Sequence, residues 1–191
     1  LPFPARAPGA RALKQVVVTA DDFGLALEVN EAVEAAHRGG VLTAASLMVG
    51  APAAEDAIAR ARRLPRLRVG LHLVLVEGRP LLPPQRLPDL VKASGQFRSD
   101  MVRLGFDLFA RPAVRRQVAA EIEAQFEAYR ATGLALDHVN AHKHFHLHPT
   151  IAALVIAIGA RYGLRGLRVP IEPAGVLAGI EPSAARRRPV D

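Results

Sequence analysis

Val16-Val17-Val18-Thr19-Ala20-Asp21-Asp22-Phe23-Gly24 is the stretch on which the fold turns. The β-branched run from Val16 to Ala20 favours extended backbone in a buried position. It stops at two adjacent carboxylates and, beyond Phe23, a glycine that lets the chain turn sharply. Leu25, Val29, Val33 and Ala36 then recur at helical spacing until Gly39-Gly40 ends the pattern. Strand, polar turn and amphipathic helix make one β/α unit.

The alternation continues along the chain. Ala44 to Val49 reads as a second strand. Ala54, Ala57, Ile58 and Ala61 mark a second helix, opening on Glu55 and Asp56 where the helix dipole favours acid. Arg68 to Val76 reads as a third strand, and the Pro- and Gly-rich residues 77–98 predict a long loop of the kind that covers active sites. A short helix is expected over Met101 to Phe109. A long one starts at Pro112, with Val114, Val118, Ile122, Phe126 and Tyr129 on its apolar face and Thr132-Gly133 at its end. Leu136 to Ala141 is the fourth strand. Pro149 opens a helix with Ile151, Leu154, Val155, Ile158 and Tyr162 on one face, and Leu167 to Val169 is a fifth strand.

Strands alternating with helices imply an α/β fold with a parallel sheet and right-handed crossovers. Five strands cannot close an eight-strand barrel, so the expectation is an open sheet or the N-terminal part of a barrel. Residues 1–14 are expected to be a loose arm, 15–170 one β/α domain, and 171–191 an irregular basic tail.

Of the 191 residues, 50% are hydrophobic and 23% charged, a globular composition with length for one core. The chain has no Cys, so a metal site must be built from His and carboxylates, and no thiolate nucleophile exists. The net charge of +7 comes almost entirely from scattered Arg, and aromatics at 5% offer no base-stacking platform. No nucleic-acid partner is expected. No aliphatic run approaches the ~20 residues that span a bilayer. Residues 1–14 lack the apolar core of a signal peptide, so a cytoplasmic location is expected. The first residue is not Met, so a processed or truncated start is expected.

In β/α folds, ligands bind at the carboxyl ends of strands. Three polar clusters fall there. Adjacent residues leaving a strand point apart, so one of Asp21 and Asp22 could ligate a metal while the other faces substrate; alternatively the pair caps the next helix. His72, within Gly70-Leu71-His72-Leu73-Val74, reads as a ligand or as a core histidine. His138, Asn140, His142, His144, His146 and His148 share one parity, so they project to one side while the chain stays extended. With a rise of ~3.3 Å per residue they cannot all reach one ion. One or two ligands, with one or two groups for substrate or proton transfer, is the functional reading; a solvated, metal-sticky loop is the other. One Asp with two His leaves coordination positions open for water and substrate, and suits Zn, Mg, Mn or Fe(II).

Thr19-Ala20-Asp21-Asp22-Phe23-Gly24, Gly70-Leu71-His72-Leu73 and His142-Lys143-His144-Phe145-His146 resemble the motifs of the YdjC/ChbG-like carbohydrate deacetylases, in order, over residues 16–170. Leu71-His72-Leu73-Val74-Leu75-Val76-Glu77-Gly78-Arg79-Pro80 and Asn140-Ala141-His142-Lys143-His144 are similar to the hopanoid biosynthesis-associated branch, HpnK. The resemblance implies a TIM-barrel-like fold, incomplete in this chain, one divalent metal ion (Mg or Zn), and deacetylation of an N-acetylated amino sugar or glycolipid. It implies Asp22, His72 and His142 as metal ligands and Asp21 as catalytic base. His144 or His146 is expected to assist proton transfer to the departing amine. A hopanoid substrate implies peripheral contact with the inner membrane, and a homo-oligomer is compatible with the family.

There are departures. Where the family often has Asp-Ser-His-His-His, this chain has Asn140-Ala141-His142-Lys143-His144. Family chains are longer and carry a C-terminal histidine segment without a counterpart here. The expectation that follows is a fragment, poorly stable alone and less active than a longer chain. The rival functions are a metal-dependent phosphoesterase on the same frame and a non-catalytic sugar- or metal-binding module.

Overall fold

A computed structural model of the chain describes residues 16–171. The expected arm and nearly all of the expected tail lie outside these residues. Four strands, β1 (Thr19–Phe23), β2 (Ala44–Leu47), β3 (Arg68–Leu73) and β4 (Val139–Ala141), form one parallel sheet in the order β1-β2-β3-β4. Between and after them lie five helices: α1 (Leu27–Gly39), α2 (Ala54–Arg62), α3 (Met101–Ala110), α4 (Pro112–Ala131) and α5 (Pro149–Gly159). Sequential order matters. Right-handed crossovers between adjacent strands all place their helices on the same face, as in a β/α barrel, whereas a doubly wound sheet reverses direction.

The long helix forms as its periodicity predicts. Val114, Val118, Ile122, Phe126 and Tyr129 are all 2% exposed or less, and α4 packs this face on β3 and α5. Its polar residues also work inward. Gln125 bonds both backbone groups of Val74, Glu121 accepts the Leu81 and Leu82 amides, and Gln117 accepts the Asp89 amide. These contacts hold the 77–98 loop, whose Leu87, Leu90 and Phe97 are buried. It is a packed element, pinned also by an antiparallel bridge between Val91 and Phe97.

Three expectations need correction. β1 does not stop at the carboxylates; it starts later and runs through them. Val16 and Val17 are 74% and 67% exposed, because pairing with β2 begins only at Thr19, opposite Ala44. The fifth strand reduces to a single bridge, Leu167 to Val139, since β4 is only three residues long and Pro170 has no amide to extend the ladder. The shared parity of the histidine run ends at His142. There the chain enters a 3₁₀ turn (His142–Leu147), with left-handed backbone at Lys143 and His144, so the later histidines do not follow a strand's alternation.

Candidate metal centre

The bulge in β1 builds the site. Ala20 pairs with Ala45 and Phe23 with Leu47, so three steps on β1 match two on β2. Asp22 takes up the extra residue with φ of 58°, a conformation Asp tolerates better than most residues. This lets Phe23 return to the core at 0% exposure while both carboxylates stay at the strand end. Neither caps a helix: α1 has Ala26 at its N-cap and no side-chain cap bond. Gly24, at φ of 100°, makes the turn that follows, and the buried Asn30 side chain accepts its amide.

Asp22, His72 and His142 each present a ligand atom, all within 4.8 Å of one another. Asp22 Oδ1 lies 3.1 Å from His72 Nε2 and 3.1 Å from His142 Nδ1. The two imidazoles meet edge to face, with centroids 5.7 Å apart. In the acid range, where imidazoles are cations, His72 and then His142 hold the Asp22 carboxyl below its ordinary value, against the penalty of burial.

His72 lies in the core and faces the rest of the trio. It is 2% exposed, and its Nδ1 lies 2.7 Å from Asn140 Oδ1. An amide oxygen only accepts, so the proton sits on Nδ1 and the Nε2 lone pair faces Asp22. Nε2 is buried without a hydrogen-bond partner, 3.1 Å from Asp22 Oδ1. Leaving such an atom unpaired costs about 1–3 kcal/mol. A divalent cation would satisfy it, and a ring oriented through its far nitrogen is how histidine ligands are commonly held. Two nitrogens and a carboxylate oxygen suit that ion and leave positions open for water and substrate.

Asp21 is held apart from this trio. Arg168 Nη1 donates to its Oδ2 at 2.6 Å and Asn140 Nδ2 to its Oδ1 at 2.9 Å. Burial, the largest single influence, would raise its pKa. The Arg168 guanidinium, His72 and Asn140 together outweigh burial and keep the carboxyl below its usual value. Asp21 is therefore ionised at neutral pH and able to take a proton.

The remaining histidines do not converge on the trio. His144 is exposed, with left-handed backbone. His146 is 2% exposed, with Nε2 2.8 Å from the Arg168 carbonyl; burial lowers its pKa. His148 Nε2 lies 3.2 Å from the Gly105 carbonyl, and His138 bonds Ser46 and Asp137. The sequence reading missed Arg168, Ser46 and Glu77. Arg168 carried a signal, since it follows Leu167 in a run expected to be a strand next to the site. Glu77 sits at φ of 51°, with Oε2 3.2 Å from Lys143 Nζ and 3.9 Å from His142 Nε2. Only folding brings Glu77 to the histidine turn.

The described residues include no helix long and apolar enough to cross a membrane. The chain is 38% identical over 157 residues to a carbohydrate deacetylase of Brevibacillus brevis, spanning 82% of this chain and 58% of that one. It is 34% identical over 172 residues to a carbohydrate deacetylase of Vibrio cholerae, spanning 90% and 63%. It thus covers less than two thirds of the length of these relatives. Its fold superposes, with a TM-score of 0.71 and 26% identity, on the crystal structure of an Enterococcus faecalis protein described as a candidate for cellobiose-phosphate cleavage, over 92% of this chain and 66% of that one. The family described as YdjC-like protein matches residues 15–189, and this chain belongs to it.

Proposed function

We propose that this site hydrolyses the N-acetyl group of an amino sugar, with one divalent ion, Mg or Zn, held by Asp22, His72 and His142. The observation that carries the reading is the division of labour between two adjacent carboxylates. Asp22 meets two imidazoles, one with an unpartnered buried nitrogen, while Asp21 is turned to an arginine and an amide. Relatives covering most of this chain are carbohydrate deacetylases, which supports an acetylated sugar as substrate.

A divalent ion in such a site polarises a carbonyl and acidifies water. The rest falls to the chain's own side chains. Asp21 takes the proton of the attacking water as general base, with Arg168 and Asn140 fixing the carboxylate's orientation. The amine must leave protonated. His144, exposed beside the trio's own turn, is the candidate donor. His146 spends Nε2 on the Arg168 carbonyl and fits a role in holding that arginine. A lipid-linked substrate such as a hopanoid glycolipid, contact with a membrane surface, and assembly of copies of the chain are finer readings that rest on the resemblance alone.

The test is acetate release from N-acetylglucosamine oligomers, with phosphate release from aryl phosphates run beside it. Acetate release that stops on chelation and returns with Zn²⁺ or Mg²⁺ is the expected result. Phosphate release without acetate release would move the site to the phosphoesterase reading. Metal binding without either would leave a binding module.

A further inference from the structure

We infer that Ser46 and His138 are positioning residues, forming with Asp137 a hydrogen-bonded relay that sets the Asn140 amide and, through it, the metal-facing nitrogen of His72. The inference rests on the metal-centre reading above and adds residues lying behind the site.

The relay begins at an acceptor. Asp137 is a carboxylate gripped by Arg68, whose Nε donates to Oδ1 at 2.6 Å. Its Oδ2 lies 3.0 Å from His138 Nδ1, so that nitrogen carries the proton. His138 Nε2 is then a lone pair, 2.9 Å from Ser46 Oγ. Ser46 has one proton to give and gives it there. Its oxygen is left to accept, and Asn140 Nδ2 donates to it at 3.0 Å. The same amide nitrogen donates to Asp21 Oδ1 at 2.9 Å. With Nδ2 so committed, Oδ1 must face His72, 2.7 Å from Nδ1. That places the His72 proton on Nδ1 and the lone pair on Nε2, the nitrogen beside Asp22. Every proton in the series is located by the group before it.

The sheet is built to allow this. Ser46 pairs in register with Gly70, and His138 lies one residue before the Leu71–Val139 pair, so Ser46, Gly70 and His138 form a row across three strands. Strands are ~4.8 Å apart, so Ser46 and His138 belong to strands roughly 10 Å apart. His138 reaches Ser46 only because the residue between them has no side chain. A Cβ at Gly70 would stand 2.6 Å from the ring's Nδ1 and Cε1, and closer still to the His138 carbonyl oxygen. The glycine is required twice over, by the His138 carbonyl of the neighbouring strand and by the imidazole that crosses above it. Ser46 itself is 0% exposed, so it cannot act on substrate as a nucleophile.

Flipping the Asn140 amide shows what Ser46 and Asp21 together prevent. Its oxygen would then face the Asp21 carboxylate, and its NH₂ would face His72 Nδ1. The His72 proton would move to Nε2 and block the ligand position.

The test uses two variants and two readouts. Ser46→Ala removes the hydroxyl at the centre. Asp137→Ala removes the starting acceptor at a partly exposed position, together with its ion pair to Arg68. Imidazole ¹H–¹⁵N correlation spectra of metal-free protein at about pH 8, where imidazole is neutral, report each tautomer directly. Calorimetric titration with Zn²⁺ reports the site. In the wild type, His72 and His138 should both be Nδ1–H tautomers. In Ser46→Ala, with Asp21 alone left to orient the amide, an Nε2–H fraction of His72 should become detectable and Zn²⁺ affinity should fall by up to about tenfold, the usual scale for losing a ligand's supporting bond. In Asp137→Ala, His138 should become a mixture first, with a smaller loss of affinity. Pure Nδ1–H His72 in both variants would overturn the relay, whether or not affinity falls, since a fall without a tautomer change is packing. A wild type that shows the tautomer response but binds no Zn²⁺ would remove the metal centre and leave the relay standing.

Discussion

The carboxyl ends of the strands and the helix behind them are built on opposite terms. On α4 the backbone is regular and Val114, Val118, Ile122 and Phe126 are 0 to 1% exposed. At the strand ends the backbone breaks rules. The four non-glycine residues of positive φ among those described are Asp22, Glu77, Lys143 and His144. Asp22 is in the trio, Lys143 and His144 directly follow its His142, and Glu77 pairs with Lys143. Such conformations cost about 1–3 kcal/mol each where nothing offsets them. Helix packing supplies stability, and the strand ends use part of it to aim side chains. Substitutions in the two regions should therefore separate function from stability.

The largest effect should come from Asp21→Asn. Asparagine keeps the shape but cannot take a proton, so acetate release should fall ~10²–10⁴-fold. The melting temperature should stay within a few degrees, because the asparagine keeps one of the two acceptor oxygens at a partly exposed position. Phe126→Ala is the mirror experiment. It empties a site 1% exposed behind the sheet and should cost about 3–5 kcal/mol in denaturant unfolding, with Zn²⁺ affinity of the folded fraction unchanged. If Phe126→Ala abolished metal binding in folded protein, the two regions would not be separable.

Glu121 sharpens the comparison, because it is a charge placed on the stabilising side. Burial pushes its carboxyl above the ordinary value, against bonds from the Leu81 amide, Gln125 and the Leu82 amide. A carboxyl with a raised folded-state pKa favours folding below its unfolded value, and that contribution is lost as pH rises through the folded value. Wild-type melting should thus decline relative to Glu121→Gln as pH rises from the ordinary glutamate range toward neutral. A difference independent of pH would mean that the carboxylate is fully compensated by its bonds. Smaller again is Gly24→Ala. At φ of 100° an alanine is strained, and its Cβ would sit 3.2 Å from the Met48 carbonyl oxygen. About 1–2 kcal/mol of stability should be lost.

How much was legible in the sequence follows the same division. The α4 face was readable because packing against a sheet demands a regular period, and the sequence obeys it. Asp22, His72 and His142 were nameable from their place at strand ends and from short motifs. What could not be read is what breaks periodicity. The two carboxylates were expected to point apart, but the β1 bulge that keeps both at the strand end is set by pairing with β2 and leaves no mark in the sequence. The His142 turn ended a parity argument that assumed extended chain. Ser46 and His138 are 92 residues apart and meet only through a glycine between them. The polar side of α4 was overlooked because Gln117, Glu121 and Gln125 look like a solvated face until a loop lies on them.

The central claim is that Asp22, and not Asp21, holds an ion together with His72 and His142. Bound Zn²⁺ measured by elemental analysis, after reconstitution and desalting, tests it most directly in wild type, Asp21→Asn, Asp22→Ala and His142→Ala. One equivalent is expected in wild type, retained in Asp21→Asn even where the lost Asn140 acceptor weakens affinity, and lost in the other two. Loss in Asp21→Asn with retention in Asp22→Ala would reverse the roles of the two carboxylates. An unchanged equivalent in His142→Ala would transfer the ligand role to His144 or His146 and contradict the site described.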